Sequence, residues 1–177
     1  MAGDVSSMTM REERLLPAFE RGLLALLPRL RRFARSLARD AADADDLLQI
    51  AVERALKAQA RWQDGTRLDA WMMKIVRNCW IDEVRSRTRR ARTFVAEEAG
   101  AASGVPAHED VDRSAEMRDV GKAMNALPPE QREAVALVLV EGLAYREAAE
   151  ILDVPIGTLT SRLTRGRQAL ARMLEAA

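Results

Sequence analysis

YREAAEILDVPIGTLTSRLTRGRQAL, residues 145–170, decides how this chain is read. Two helical patterns are separated by a short break at Asp153, Val154 and Pro155. Ala148, Ala149 and Leu152 form one apolar edge before the break. Ile156, Leu159, Leu163 and Leu170 form another after it, at helical spacing. Pro155 suits the start of the second helix, where its missing N–H costs nothing. Thr158, Ser161, Arg162 and Arg165 fall at i, i+3, i+4 and i+7, a face of hydroxyls and guanidiniums with no carboxylate. That is the pattern of a helix-turn-helix whose second helix enters the major groove of duplex DNA. A solvated edge of a helical bundle is the plainer reading, but the short break and the small residues where helices must cross favour the first.

Upstream, the chain reads as helix throughout. Aromatic residues are only 4% of the 177 and strand-like alternation is absent, while Ala, Leu, Arg and Glu dominate, so an all-α protein is expected. With 48% hydrophobic and 31% charged residues the composition is that of a soluble globular protein. No apolar run approaches the length of a membrane span, and the first ten residues carry no secretion pattern. A lone Cys79 cannot form an internal disulfide, which suits a reducing cytoplasm. One Cys and one His108, the latter in a polar stretch, are too few for a metal site. No cofactor, metal or small-molecule substrate is expected. No phosphate-cradling glycine loop or nucleophile motif suggests an enzyme.

The net charge of +1 argues alone against a nucleic-acid binder, but its distribution reverses that conclusion. Residues 74–92 carry Lys74, Arg77, Arg85, Arg87, Arg89, Arg90 and Arg92 against two acids. Residues 93–119 carry seven acids against two arginines. The halves average to nearly zero while creating strong local fields. Residues 93–112, with Gly100, Ser103, Gly104 and Pro106 among the acids, read as a flexible acidic linker between two small helical domains, 1–92 and 113–177.

In the first domain we expect a helix over 23–37 with Pro28 near its start, preceded by a separate short helix over 12–21. A second helix over 42–60 opens at Asp40 and Asp43, which favour the positive end of its dipole. Its core stripe is Leu48, Ala51, Val52, Ala55 and Leu56, and Asp45, Asp46, Gln49 and Glu53 share a different, acidic face. After a loop at 61–66 comes a helix over 68–76, then a break at Asn78 and Cys79, then a basic helix over 80–92. In the second domain, a helix over 111–126 stops at Leu127, Pro128 and Pro129. The apolar stretch 130–141 reads as a buried helix ending at Gly142, a residue suited to a left-handed cap.

Three stretches together resemble the extracytoplasmic-function group of bacterial sigma factors: ADADDLLQIAVERAL at 42–56, WQDGTRLDAWMMKIVRNCWIDEVRSRTRR at 62–90, and LPPEQREAVALVLVEGLAYREAAEILDVPIGTLTSRLTRGRQAL at 127–170. They are similar to sigma regions 2 and 4, with regions 1.1 and 3 missing. The resemblance implies a region 2 helical bundle, a region 4 helix-turn-helix, and a cytoplasmic protein that binds core RNA polymerase and directs promoter recognition, melting and initiation. It assigns Asp45, Asp46, Leu47 and Gln49, with Glu53 on the same face, to polymerase docking. Asn78 matches the residue that reads a flipped base of the minus-ten element, Trp62 an aromatic at the edge of that site, and Arg85, Arg87, Arg89 and Arg90 suit the melted strand's phosphates. Trp71 is assigned to the core, and Trp80 is left between core and stacking.

Ser161, Arg162 and Arg165, with Thr158 beside them, match contacts to the duplex minus-thirty-five element. Thr160 stands where a basic residue is frequent, and Asp153 where the family has glycine. The FARSL, WQDGT and LPPEQREA stretches are similar to the general-stress-response branch, whose members are silenced by a soluble anti-sigma factor. Other relatives use membrane-bound ones, and an anti-sigma partner of some kind is implied. Two alternatives remain: a helix-turn-helix regulator acting without polymerase, and a sigma mimic that only sequesters an anti-sigma factor.

Overall fold

The computed structural model describes residues 17–63, 65–97 and 115–176. Seven α-helices carry the fold, in the order α1 (Ala18–Leu37), α2 (Ala41–Lys57), α3 (Leu68–Glu97), α4 (Ala115–Ala126), α5 (Pro129–Val135), α6 (Tyr145–Leu152) and α7 (Ile156–Glu175). No strand occurs among the described residues. The expected helix at 111–126 is seen from Ala115, and most of the acidic stretch, with His108, lies outside the described residues.

The first bundle packs α1, α2 and α3 against one another. Phe19, Leu23, Leu30, Phe33, Ala34 and Leu37 face inward from α1. This helix begins before the expected residue 23 and absorbs the end of the separate segment expected at 12–21, whose first residues are outside the description. Pro28 therefore lies in its interior rather than near its start. Pro28 is on the exposed side, where water can satisfy the carbonyl that loses its N–H partner. Gly22 marks the close approach of α1 to α3, because a Cβ there would stand 2.7 Å from Leu68 Cδ2.

Asp40 caps α2, accepting the Asp43 N–H at 2.8 Å, as expected. The helix buries Ala44, Leu47, Leu48, Ala51 and Ala55. Leu56, expected in this stripe, is 42% exposed. The helix also stops at Lys57, and Gln59–Arg61 tightens into a 3-10 turn. The break expected at Asn78 and Cys79 does not occur, since α3 runs without interruption to Glu97. Val76, Cys79 and Trp80 are buried on either side of it, and tertiary burial outweighs the modest helix cost of Asn and Cys. Trp80 is thereby a core residue, while Trp71 is half-buried against Phe19 at 6.0 Å between ring centroids.

In the second bundle, Pro128 and Pro129 separate α4 from α5 as expected. Beyond Val135 the chain widens into a π turn, Ala136–Val140, in which the Glu141 N–H donates to Ala136 O at 3.0 Å. The expectation of a uniformly buried helix fails here. Leu139 is 50% exposed, and the enclosed side chain at the end of the turn is Glu141. Gly142 takes the left-handed conformation at φ 67°. Asp153 does the same at φ 55° in the break between α6 and α7, an arrangement Asp tolerates better than most residues. Ile156 is 53% exposed rather than part of the α7 stripe. Gly166 joins Leu159 and Leu163 on the buried side, because α7 crosses α5 so closely that a Cβ at 166 would meet Val135 Cγ2 at 2.8 Å.

The two bundles share a seam. Arg132 crosses it, donating from Nη1 to Leu37 O at 2.9 Å and from Nη2 to Leu127 O at 3.3 Å. Its guanidinium also lies 5.7 Å from the Trp80 ring centroid. Burial and the nearby Arg39 push the Arg132 pKa down. Asn125 Nδ2 donates to Arg39 O at 2.7 Å on the same seam.

Candidate polymerase and promoter interfaces

Three surfaces bring together most of the residues singled out by sequence. On α2, Asp46, Gln49 and Glu53 are exposed and Asp45 is half-exposed. Gln49 Nε2 donates to Glu53 Oε1 at 3.3 Å, and Asp45 pairs with Arg31 Nε at 2.9 Å. Leu47 departs from the expectation. It is 6% exposed and packs beneath the acids, where helical geometry turns it inward with Leu48 and Ala51. The surface offered by α2 is therefore a set of acidic and polar side chains around an exposed Ile50, supported by Leu47 from behind.

Asn78 is exposed near the middle of α3. At about 100° per residue, Arg85 and Arg89 share its side of the helix, two and three turns further on. Arg87 lies opposite. Its guanidinium pairs with Asp43 at 2.9 Å and Glu83 at 2.7 Å, partners that push its pKa up, Asp43 most strongly. That engagement binds α3 to α2 and removes Arg87 from the row beside Asn78. Arg90 is exposed but turned off that row. Trp62 is half-buried, its ring 5.6 Å from Phe19. The cluster of Phe19, Trp62 and Trp71 sits at the start of α3, with Trp71 about 10 Å along the helix from Asn78. This packing sets Trp62 against the core of the bundle, where an aromatic neighbour takes the place of water. Its indole Nε1 is buried without a hydrogen-bond partner.

On α7, Thr158, Ser161, Arg162 and Arg165 line one groove of about 560 Å³ with Gly157, Glu130 and Gln131. Arg165 Nη2 donates to Ser161 Oγ at 2.8 Å, which holds the guanidinium along the helix. Thr160 lies outside this groove, and its hydroxyl donates to Ile156 O at 2.9 Å. Glu130 and Gln131 were missed in the sequence reading. Their place after the double proline was the available signal, since it puts them on the first turn of α5.

Between the surfaces of α3 and α7 lies a residue that no pattern singled out. Glu133 is 2% exposed and accepts from Arg77 Nε at 2.9 Å. Burial pushes its carboxyl above the ordinary value, opposed by Arg77 and by Arg162. Among the described residues, no group of three or more His, Cys, Asp or Glu side chains is placed to hold a metal ion, and no helix is long and apolar enough to cross a membrane.

These surfaces coincide with two matched families. Sigma-70 region 2 matches residues 23–90, and sigma-70 region 4 matches residues 117–170. The chain is 37% identical over 155 residues to the extracytoplasmic-function sigma factor EcfG of Rhodopseudomonas palustris, covering 86% of this chain and 82% of that one. The chain belongs to the extracytoplasmic-function sigma factors. The RNA polymerase sigma factor CarQ of Myxococcus xanthus is 31% identical over 157 residues, with 89% of each chain covered. A solved structure of the sigma factor RpoE bound to the anti-sigma factor NepR from Bartonella quintana superposes with a TM-score of 0.75 at 34% identity. It covers 90% of this chain and 98% of that one. In sigma terms, α1–α3 are region 2 and α4–α7 are region 4, so Arg132, Glu133 and Glu141 lie on the seam between the regions.

Proposed function

We propose that this sigma factor divides its work between residues 1–92 and 113–177, joined through 93–112. Region 2 docks on core RNA polymerase through Asp45, Asp46, Gln49 and Glu53, an acidic surface suited to fast, oriented encounter with a basic partner. Asn78 reads one unstacked base of the minus-ten element, since its amide offers both a donor and an acceptor. Arg85 and Arg89 carry the melted strand's backbone, with Arg90 flanking them. Thr158, Ser161, Arg162 and Arg165 read the minus-thirty-five duplex. The protein acts in the cytoplasm and supplies specificity, leaving phosphodiester chemistry to the polymerase. An anti-sigma factor restrains it, a reading supported by the RpoE–NepR likeness across 90% of this chain.

The observation that carries this reading is the coexistence of both family regions in one chain, with the α2 acids exposed on one and the α7 groove on the other. Run-off transcription with purified core polymerase tests it. The chain should confer promoter-dependent initiation that core enzyme alone lacks. DNA binding without initiation would instead support the plain regulator.

A further inference from the structure

A buried carboxylate, Glu133, lies between the surfaces assigned to the two promoter elements. Arg77 contacts Asn78 Oδ1 through Nη1 at 3.5 Å and donates from Nε to Glu133 Oε2 at 2.9 Å. On its other side Glu133 feels the charge of Arg162, on the recognition helix α7. Yet the elements those helices read are separated by about 25 base pairs, roughly 85 Å of duplex at 3.4 Å per pair. One molecule cannot engage both in this arrangement. It is a closed form.

We propose that Glu133 stands in for a promoter phosphate in this closed form, and that Arg77, which it occupies, is a further strand-binding residue of region 2. The guanidinium of Arg77 is a fork suited equally to carboxylate and phosphate. Its side chain is only 19% exposed while Glu133 holds it. Separation of the regions frees it beside Asn78, where the backbone of an unstacked nucleotide passes. Glu141 repeats the device at the other end of the same stretch. Its side chain is fully enclosed and paired with Arg29 at 2.9 Å and Arg32 at 3.1 Å.

A seam made this way suits reversible opening. Buried ion pairs add little net stability because desolvation opposes their attraction. Burial indeed pushes the Glu133 carboxyl upward. When the regions part, these charges regain water. Strand binding and opening are then linked, each favouring the other.

This inference rests on the reading of α3 as the melted-strand surface, and the test separates the two. The probe is a short, fluorescently labelled single strand of random sequence, because a phosphate contact is indifferent to base identity. Glu133→Gln in the full chain should bind it about tenfold more tightly than the parent, within the ordinary range of coupling between sites. Its radius of gyration by X-ray scattering should also rise. Glu133→Asp, which keeps the charge but shortens the reach, should change both in the same direction and decides the matter if the first variant fails to fold. Arg77→Gln added to either should reverse the gain in affinity. Parental affinity and parental size in the folded Glu133 variants would overturn the proposal, as would equal affinity with and without Arg77. Absence of strand binding by every form would overturn the reading of α3 itself, and the proposal with it.

Discussion

Arg29, in the middle of α1, donates from Nε to the fully enclosed carboxylate of Glu141 at 2.9 Å, across the seam between regions 2 and 4. The partners are unequally buried, at 28% and 0% side-chain exposure. Removing one is therefore not equivalent to removing the other. Arg29→Met with Arg32→Met strands a carboxylate inside the protein and should cost about 3 kcal/mol, whereas Glu141→Gln leaves Arg29 its Asp69 partner, lets Arg32 turn toward water and should cost about 1 kcal/mol. Urea unfolding of the two variants measures the difference; equal losses would contradict the assigned asymmetry.

Asp69 gives the fold a pH dependence. Its pKa is lowered from 3.8 to about 2, chiefly by the Arg67 guanidinium, with Arg29 and the Ala70 N–H assisting against burial. A carboxyl depressed in the folded state contributes stability above pH 3.8, and that contribution is lost as pH falls through 2. Because Arg67 is half exposed and solvent screens it, the parent should exceed Asp69→Asn by only about 1 kcal/mol at neutral pH. The two stability curves should converge near the acid end, and a constant gap across that range would refute the shift.

Gly166 is expected to resist even alanine. Helix propensity alone would favour Gly166→Ala by about 1 kcal/mol. The new methyl would stand 2.8 Å from Val135 Cγ2 and 3.4 Å from Gln131 O, and overpacking of that kind costs about 1–3 kcal/mol. The net result should be a lower unfolding midpoint and weaker duplex binding, because α7 is pushed off α5. A raised midpoint would show that the crossing has slack.

Polymerase docking is tested by reversing charge on the α2 surface. Asp45→Arg with Asp46→Arg should leave the helical circular dichroism intact and weaken competition for core polymerase by an order of magnitude or more, since like charges facing a partner cost several kcal/mol. Asp45 also loses Arg31 in this variant, but that pair is about half exposed and contributes little to stability. Undiminished competition would remove this surface from the docking site.

What could be read from the sequence followed the strength of local patterns. The helix-turn-helix was legible because Ala148, Ala149, Leu159 and Leu163 repeat at helical spacing around a turn that Asp153 and Pro155 announce. The α2 acids were legible for the same reason. The burial of Leu47 was not legible, because a motif match names a position without saying which way its side chain points. Continuity through Asn78 and Cys79 depends on burial of Val76 and Trp80, which is a tertiary fact. The π turn at Ala136–Val140 leaves no signature in an apolar run, so the exposure of Leu139 and the enclosure of Glu141 were both invisible. The roles of Arg77 and Glu133 emerge only once regions 2 and 4 are placed together.

Promoter opening by Asn78 is the central claim, and one paired measurement tests it most directly. Permanganate reactivity and run-off yield are recorded for parent and Asn78→Ala holoenzymes on a duplex promoter and on the same promoter mismatched through the minus-ten element. Asn78 sits inside a continuous helix and is exposed, so a loss of capping cannot account for a defect. The account predicts reduced opening on the duplex, near-parental duplex binding, and a defect that shrinks on the mismatched template, where re-pairing no longer has to be opposed. An equal deficit on both templates, or none on either, would contradict it.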